Sequence, residues 1–343
     1  MPLKPFLGAY KFSKHPVSIY HIPVEKPRGP LLVFIPGNPG IVDFYVPYLN
    51  QLHTNFQLET LCISHISHDC SSMEDGDLGF KNSLKKIVTG KNSDIYGLDT
   101  QISSKIEIIN NFLEHQNGDL NSPKVGNSRD VIVFGHSVGS YMVQRVVNQL
   151  SPKASVKFVG LVFPTIIDIG KSDSGVSLTR ATKLLPNLHN YVSFFTLLFM
   201  FLPSAMISWM IRSVMRPAGD AETTVKCVKK LVCHPLVVRQ ALGLGKEEMG
   251  VIKRDLDFND DFFDTAKHDY KVWCFFAQND HWVAHSTRDA IKARYFNDQD
   301  DTKHYQMCDE EEDHLKLKHS FVINHTDQFV KITSAALKRM LGI

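Results

Sequence analysis

Continuous apolar runs alternate along the chain with segments whose apolar positions recur at helical spacing. Leu31–Ile35 reads Leu-Leu-Val-Phe-Ile with no polar position, as expected of a strand buried on both faces of a parallel sheet. A shorter β-rich run, Val17–Ile22, precedes it. From Asp43 to His53 the residues Phe44, Val46, Leu49 and Leu52 share one helical face, and Phe56–Ile63 resembles another strand. Asp99–Leu113 places Ile102, Ile106, Ile109 and Phe112 together, Val131–Phe134 is an apolar strand, Val138–Leu150 a helix and Val156–Phe163 the next strand. The rhythm returns at Val272–Ala277, continues through a helix at Ser286–Arg294, and closes with a helix from about Thr326 to Leu341. This alternation predicts an α/β fold built on a mostly parallel, doubly wound sheet in one domain, 1–343.

Between Ile169 and about Ile252 the pattern changes, and residues 170–252 read as a helical, strongly apolar insertion within that domain. The stretch Leu184–Ile211 holds no Asp, Glu, Lys or Arg, and it concentrates Phe194, Phe195, Leu198, Phe199, Phe201, Leu202 and Trp209. On an insertion scale such a run is worth roughly 4–8 kcal/mol of transfer before polar costs. Pro203 divides it into two short halves. Arg180 and Lys183 precede it and Arg212, Arg216, Lys226, Lys229 and Lys230 follow, which puts basic groups at both ends on one side. A hairpin dipping into one leaflet or a phospholipid monolayer fits these positions. A buried apolar cap over an active site is the alternative, and a cap that also touches lipid combines the two.

The chemistry enters at Gly135-His136-Ser137-Val138-Gly139, set directly after an apolar strand and directly before a helix. In that context G-x-S-x-G predicts a sharp strand-to-helix turn that lifts Ser137 above the sheet, as in the α/β-hydrolase fold. A serine hydroxyl needs a base to take its proton and a carboxylate to hold that base, in the order Ser, acid, His. His319, in a loop before the final helix, is the expected base, with His314, beside the acidic stretch Asp309–Asp313, as the rival. Asp280, where the strand Val272–Ala277 runs into a loop, is the expected acid, with Asp168 as the competitor. The oxyanion donors are expected to be the amides of Val138 and Asn38, the latter in the loop Gly37-Asn38-Pro39-Gly40, where the proline has no N–H.

Composition narrows the partners. Hydrophobic residues make up 43% and charged residues 22%, the profile of a globular chain. The 38 basic and 36 acidic residues leave a net charge of +2, so no global field draws the protein to nucleic acid. The six cysteines show no Cys-x-x-Cys pair, and no His and carboxylate cluster has metal spacing, so neither a metal nor a cofactor is expected. The first thirty residues lack the apolar core of a signal peptide, so secretion is not expected and Asn324-His325-Thr326 has no consequence as a glycosylation site. Gly243-Leu244-Gly245 with Gly250 follows no strand and is a poor dinucleotide loop.

Phe34-Ile35-Pro36-Gly37-Asn38-Pro39-Gly40 followed by Phe44-Tyr45, then Gly135–Tyr141, Phe163-Pro164-Thr165-Ile166 and His319-Ser320-Phe321, together resemble the lipid droplet-associated hydrolase family over nearly the whole chain. The Pro-Gly-Asn-Pro-Gly loop is far more specific than the serine motif. The resemblance implies an α/β-hydrolase fold, a Ser137, Asp280, His319 triad, and residence on lipid droplets and endoplasmic reticulum, at the cytosolic face, through the insertion. It also implies a lipid ester as substrate, sterol esters or acylglycerols, and the droplet monolayer or reticulum membrane as the surface bound. Two further readings stay open: a droplet-surface protein with a hydrolase fold and little turnover, and an acyltransferase using the same triad.

Overall fold

A computed structural model describes residues 4–24, 29–68, 76–90, 94–115, 128–217, 220–297, 300–308 and 317–342. The chain runs through β1 (Phe6–Ala9), β2 (Ser18–Ile22), β3 (Leu31–Ile35), α1 (Val46–Phe56), β4 (Glu59–Ile63), α2 (Gly76–Thr89), α3 (Leu98–Glu114), β5 (Arg129–His136), α4 (Val138–Val147) and β6 (Ala154–Val162). Helices follow: α5 (Asp173–Leu184), α6 (Leu188–Thr196), α7 (Ser204–Met215), α8 (Ala221–Val232), α9 (Pro235–Val251), α10 (Leu256–Phe262) and α11 (Thr265–His268). The sheet then resumes with β7 (Lys271–Phe276), followed by α12 (His285–Tyr295), β8 (Lys303–Met307), α13 (Phe321–Asn324) and α14 (Thr326–Leu341).

The strands form one sheet in the order β1-β2-β4-β3-β5-β6-β7-β8. β1 and β2 are antiparallel to their neighbours, and every pair from β4 to β8 is parallel. The apolar runs split by the two-residue period of a strand. Leu31, Val33 and Ile35 of β3, Val131 and Val133 of β5, and Val272, Cys274 and Phe276 of β7 face the core shared with α3 and α4. Leu32, Phe34, Ile132, Phe134, Trp273 and Phe275 face the opposite core, shared with α1 and α14. Burial on both faces is why these strands carry no polar alternation.

The differences from the sequence pattern lie at edges and turns. A 3-10 turn, Val42–Tyr45, takes the first residues assigned to the helix after β3, and Gln57, left-handed at φ 54, ends α1 before β4. β1, α2 and β8 had no pattern strong enough to show: β1 is a four-residue edge strand, largely exposed, and β8 is half-buried throughout. Inside, α3 buries Lys105, whose ammonium donates to the Ser64 carbonyl and whose pKa burial pulls down to about 7. Beside it the His65 ring lies against Gly40, where a Cβ would come within 2.3 Å of it.

The insertion packs its helices onto one another with their inner faces only. Ile207 and Ile211 of α7 meet Val225 and Val228 of α8, with Phe199 and Leu202 against them. Leu202 leaves the helical region and Pro203 precedes α7, so the apolar stretch breaks there. Phe195, Leu198, Phe201 and Trp209 are 58–69% exposed, and Phe194 is nearly half exposed. Among the described residues no single helix is long and apolar enough to cross a membrane; Asp173–Leu184 and Leu188–Phe201 reach that length only as a pair bent by 94°.

Candidate active site

Ser137 sits between the end of β5 and the start of α4 at φ 55 and ψ −124, a conformation L-residues rarely hold. The flanking glycines make that turn possible. A Cβ on Gly135 would approach the Gly139 carbonyl oxygen to 2.4 Å, and one on Gly139 would approach the Ile35 carbonyl oxygen to 2.3 Å. Backbone, not flexible side chain, occupies the space, so β5, α4 and the end of β3 meet only without these side chains. The Ser137 amide donates to the Val162 carbonyl (2.9 Å), which fixes the turn to β6.

His319 and Asp280 converge on this serine. Asp280 Oδ2 lies 2.8 Å from His319 Nδ1, and His319 Nε2 lies 2.8 Å from Ser137 Oγ. An ionised carboxylate can only accept, so Nδ1 carries the ring proton and Nε2 is free to accept from the serine hydroxyl. Asp280 Oδ1 accepts from the Trp282 amide (2.8 Å). Burial alone would raise the Asp280 pKa; the His319 imidazole facing it, their hydrogen bond and the Trp282 amide hold it below the usual carboxylate range. Asp168 instead faces Lys171 (2.8 Å) and Arg254 (3.3 Å) and has no bond to His319. His314 lies outside the described residues.

Val138 opens α4, so its amide is among the first-turn donors that have no acceptor within the helix. Asn38 lines the same cavity as Ser137. The Gly37 amide before it is already engaged, donating to Tyr45 Oη (3.0 Å).

Sequence reasoning missed the groups that hold these parts together. His136 Nε2 is 2.8 Å from the His319 carbonyl oxygen, which can only accept, so Nε2 carries the proton and Nδ1 accepts from Tyr45 Oη at 2.7 Å. Gly37 N–H, Tyr45 O–H and His136 thus link the loop after β3, the residue before the serine and the backbone of His319. Burial drives His136 down to about 3, so this relay stays neutral. Its members stood in the quoted motifs, but nothing in their spacing shows that they touch. Glu248, from α9, was also missed. It is buried, and its Oε1 accepts from Asn38 Nδ2 (2.9 Å), whose other hydrogen goes to the Ala241 carbonyl (2.8 Å). Burial pushes Glu248 up to about 8, against the Asn38 hydrogen bond and with a push from Glu247. The available signal was a carboxylate on the helical face of Val237 and Leu244, which the core buries.

Ser137 and His319 open onto a cavity of about 480 Å³ roofed by the insertion: Leu178 of α5, Val192 of α6, Val228 and Leu231 of α8, and Val238 and Leu242 of α9. Its walls are chiefly aliphatic, suited to an acyl chain rather than a charged ligand. Among the described residues no group of His, Cys, Asp or Glu has the arrangement to hold a metal ion.

Sheet order, the sharp serine turn after β5 and the helical roof together define an α/β-hydrolase fold. Solved structures with this fold include 2-hydroxy-6-oxo-6-phenylhexa-2,4-dienoate hydrolase from Rhodococcus sp. strain RHA1 (TM-score 0.58, 12% identity, 98% of each chain covered). A peroxisomal alpha-beta-hydrolase from Saccharomyces cerevisiae aligns with a TM-score of 0.55 at 11% identity, over 98% of this chain and 88% of that one. At residues 28–322 the sequence matches the family described as Lipid-droplet associated hydrolase, and the chain belongs to that family. It is 29% identical to Lipid droplet-associated hydrolase of Mus musculus over 260 residues (73% of this chain, 72% of that one) and 27% identical to that of Homo sapiens over 328 residues (92% and 86%). Fold and family make it a hydrolase.

Proposed function

We propose that the protein is a serine esterase that cleaves lipid esters, sterol esters or acylglycerols, at the surface of lipid droplets or the endoplasmic reticulum. The observation that carries this reading is the unbroken chain Asp280–His319–Ser137, with both links at 2.8 Å, on the floor of an apolar cavity. His319 Nε2 takes the Oγ proton as Oγ bonds to the ester carbonyl carbon, and the negative oxygen is received by the amides of Val138 and Asn38. The C–O bond breaks, His319 returns the proton to the departing alcohol, and water repeats the sequence on the acyl-serine to release the acid. The test is fatty acid release from an emulsified long-chain ester by the purified full chain: the wild type releases it and Ser137→Ala does not. Equal release by both contradicts the mechanism.

The insertion supplies the surface contact in this reading, and its exposed side chains support it. Phe194, Phe195, Leu198, Phe201 and Trp209 point outward beside the cavity roof, while Phe199, Leu202 and Pro203 shape the break behind them. Half-inserting one such side chain into lipid is worth about 1 kcal/mol. Changing Phe195, Leu198, Phe201 and Trp209 together to serine is therefore expected to weaken binding to phospholipid-coated triolein emulsions by about a thousandfold. Hydrolysis of a water-soluble short-chain ester stays within about threefold. Unchanged flotation of the quadruple variant with the emulsion contradicts this role.

A further inference from the structure

The cavity above Ser137 has one discordant feature. Among the described residues that line it, Glu248 is the only carboxylate, and no cation is paired with it. One of its oxygens accepts from Asn38 Nδ2; the other has no hydrogen-bond partner among the described residues. Asn38 Oδ1, beside it, is buried without a partner. Buried polar atoms are paired in nearly all cases, and Asn38 Oδ1, next to a cavity-lining carboxyl with one oxygen to spare, marks a place for a polar ligand atom.

Resting on the esterase reading, we propose that Glu248 and Asn38 form a polar subsite that binds a free hydroxyl on the alcohol part of the substrate, so that esters of polyols with a hydroxyl left unacylated are favoured over fully acylated or etherified ones. The position fits. With the oxyanion received at the Asn38 amide, as the esterase reading has it, and the Asn38 side chain on Glu248, the carboxyl lies on the order of 10 Å or less from the reacting carbonyl, within reach of a hydroxyl on the alcohol part. The chemistry fits also. Held near neutrality as an uncharged acid, Glu248 both donates and accepts, which a hydroxyl matches, and it does not oppose the negative charge forming nearby. A tether between α9 and the loop needs only the Oε1 bond and leaves the second oxygen unexplained.

The experiment compares 1-oleoylglycerol with its di-O-methyl ether in the same mixed micelles, using the purified full chain. The two esters share the acyl chain and differ in the hydroxyl hydrogens. The wild type is expected to show a kcat/KM ratio of about tenfold or more in favour of the diol. Glu248→Leu brings that ratio close to one, and Glu248→Gln, which keeps an acceptor and a donor, retains most of it. A ratio near one in the wild type overturns the subsite without recourse to any variant, and so does a ratio that survives Glu248→Leu. Hydrolysis of neither ester by the wild type removes the esterase reading and the subsite with it. Turnover of both esters at equal rates, abolished by Ser137→Ala, leaves the esterase standing and sinks the subsite alone.

Discussion

Ser137→Ala and His319→Ala are each expected to lower kcat/KM for a long-chain ester by at least about 10⁴-fold, and the double variant by no more than either single change. The reason is that the two side chains act as one unit. The hydroxyl is a nucleophile only while His319 Nε2, 2.8 Å away, can take its proton, so removing either group leaves the other without a task. What survives in this reading is binding and the proposed oxyanion donors, the backbone amides of Val138 and Asn38, which neither change removes. Alanine at 137 keeps the same positive φ, so backbone strain is unchanged and the melting temperature should move by no more than about 3 °C. Steady-state kinetics on the three variants checks this. Losses that multiply in the double variant mean that the groups act independently, and the chain of hydrogen bonds is then not the catalytic device.

Asp280→Asn is expected to lower kcat by about 10³–10⁴-fold with KM little changed. Both carboxyl oxygens act as acceptors, Oδ2 from His319 Nδ1 and Oδ1 from the Trp282 amide, each at 2.8 Å. An amide offers one acceptor for these two donors. Either its NH2 group faces the Trp282 N–H and the loop moves, or it faces His319 Nδ1 and drives the ring proton to Nε2, where it blocks acceptance from Ser137. Asp168→Asn is the control, since that residue pairs with Lys171 and Arg254 and should leave kcat within about twofold. Because the folded-state pKa of Asp280 is depressed, it stays ionised through the acid range and stabilises the fold above about pH 4. That contribution is lost as pH falls through the folded value, so Asp280 itself sets no change in activity near neutrality. Full activity in Asp280→Asn, or a loss in Asp168→Asn of the same size, reverses the assignment of the acid.

The central strands were legible because a parallel strand covered on both faces has no polar position to break its run, as in Leu31–Ile35 and Val131–Phe134. The serine turn was legible for a related reason: Gly135 and Gly139 stand where backbone would collide with any Cβ. Edge elements such as β1 and β8 bury too little to impose a pattern, and short helices such as α13 follow tertiary contacts. The groups that join the site are contacts between distant segments. His136 with Tyr45 spans 91 residues and Asn38 with Glu248 spans 210, and no local period records either pair. Lys105, fully buried on α3, likewise reads as a solvated helix residue until Ser64 is placed above it. In the insertion, the apolar composition was plain, but its division into inward Ile207 and Ile211 and outward Phe195 and Trp209 depends on what packs beneath.

The most direct measurement is covalent labelling of the purified protein by a lipid-like fluorophosphonate, with the modified peptide identified by mass spectrometry. It reports an activated serine without requiring the physiological ester. Stoichiometric labelling at Ser137 is expected in the wild type, lost in Ser137→Ala and reduced by orders of magnitude in His319→Ala. A folded wild type that takes no label, or one labelled equally in all three proteins, contradicts this expectation.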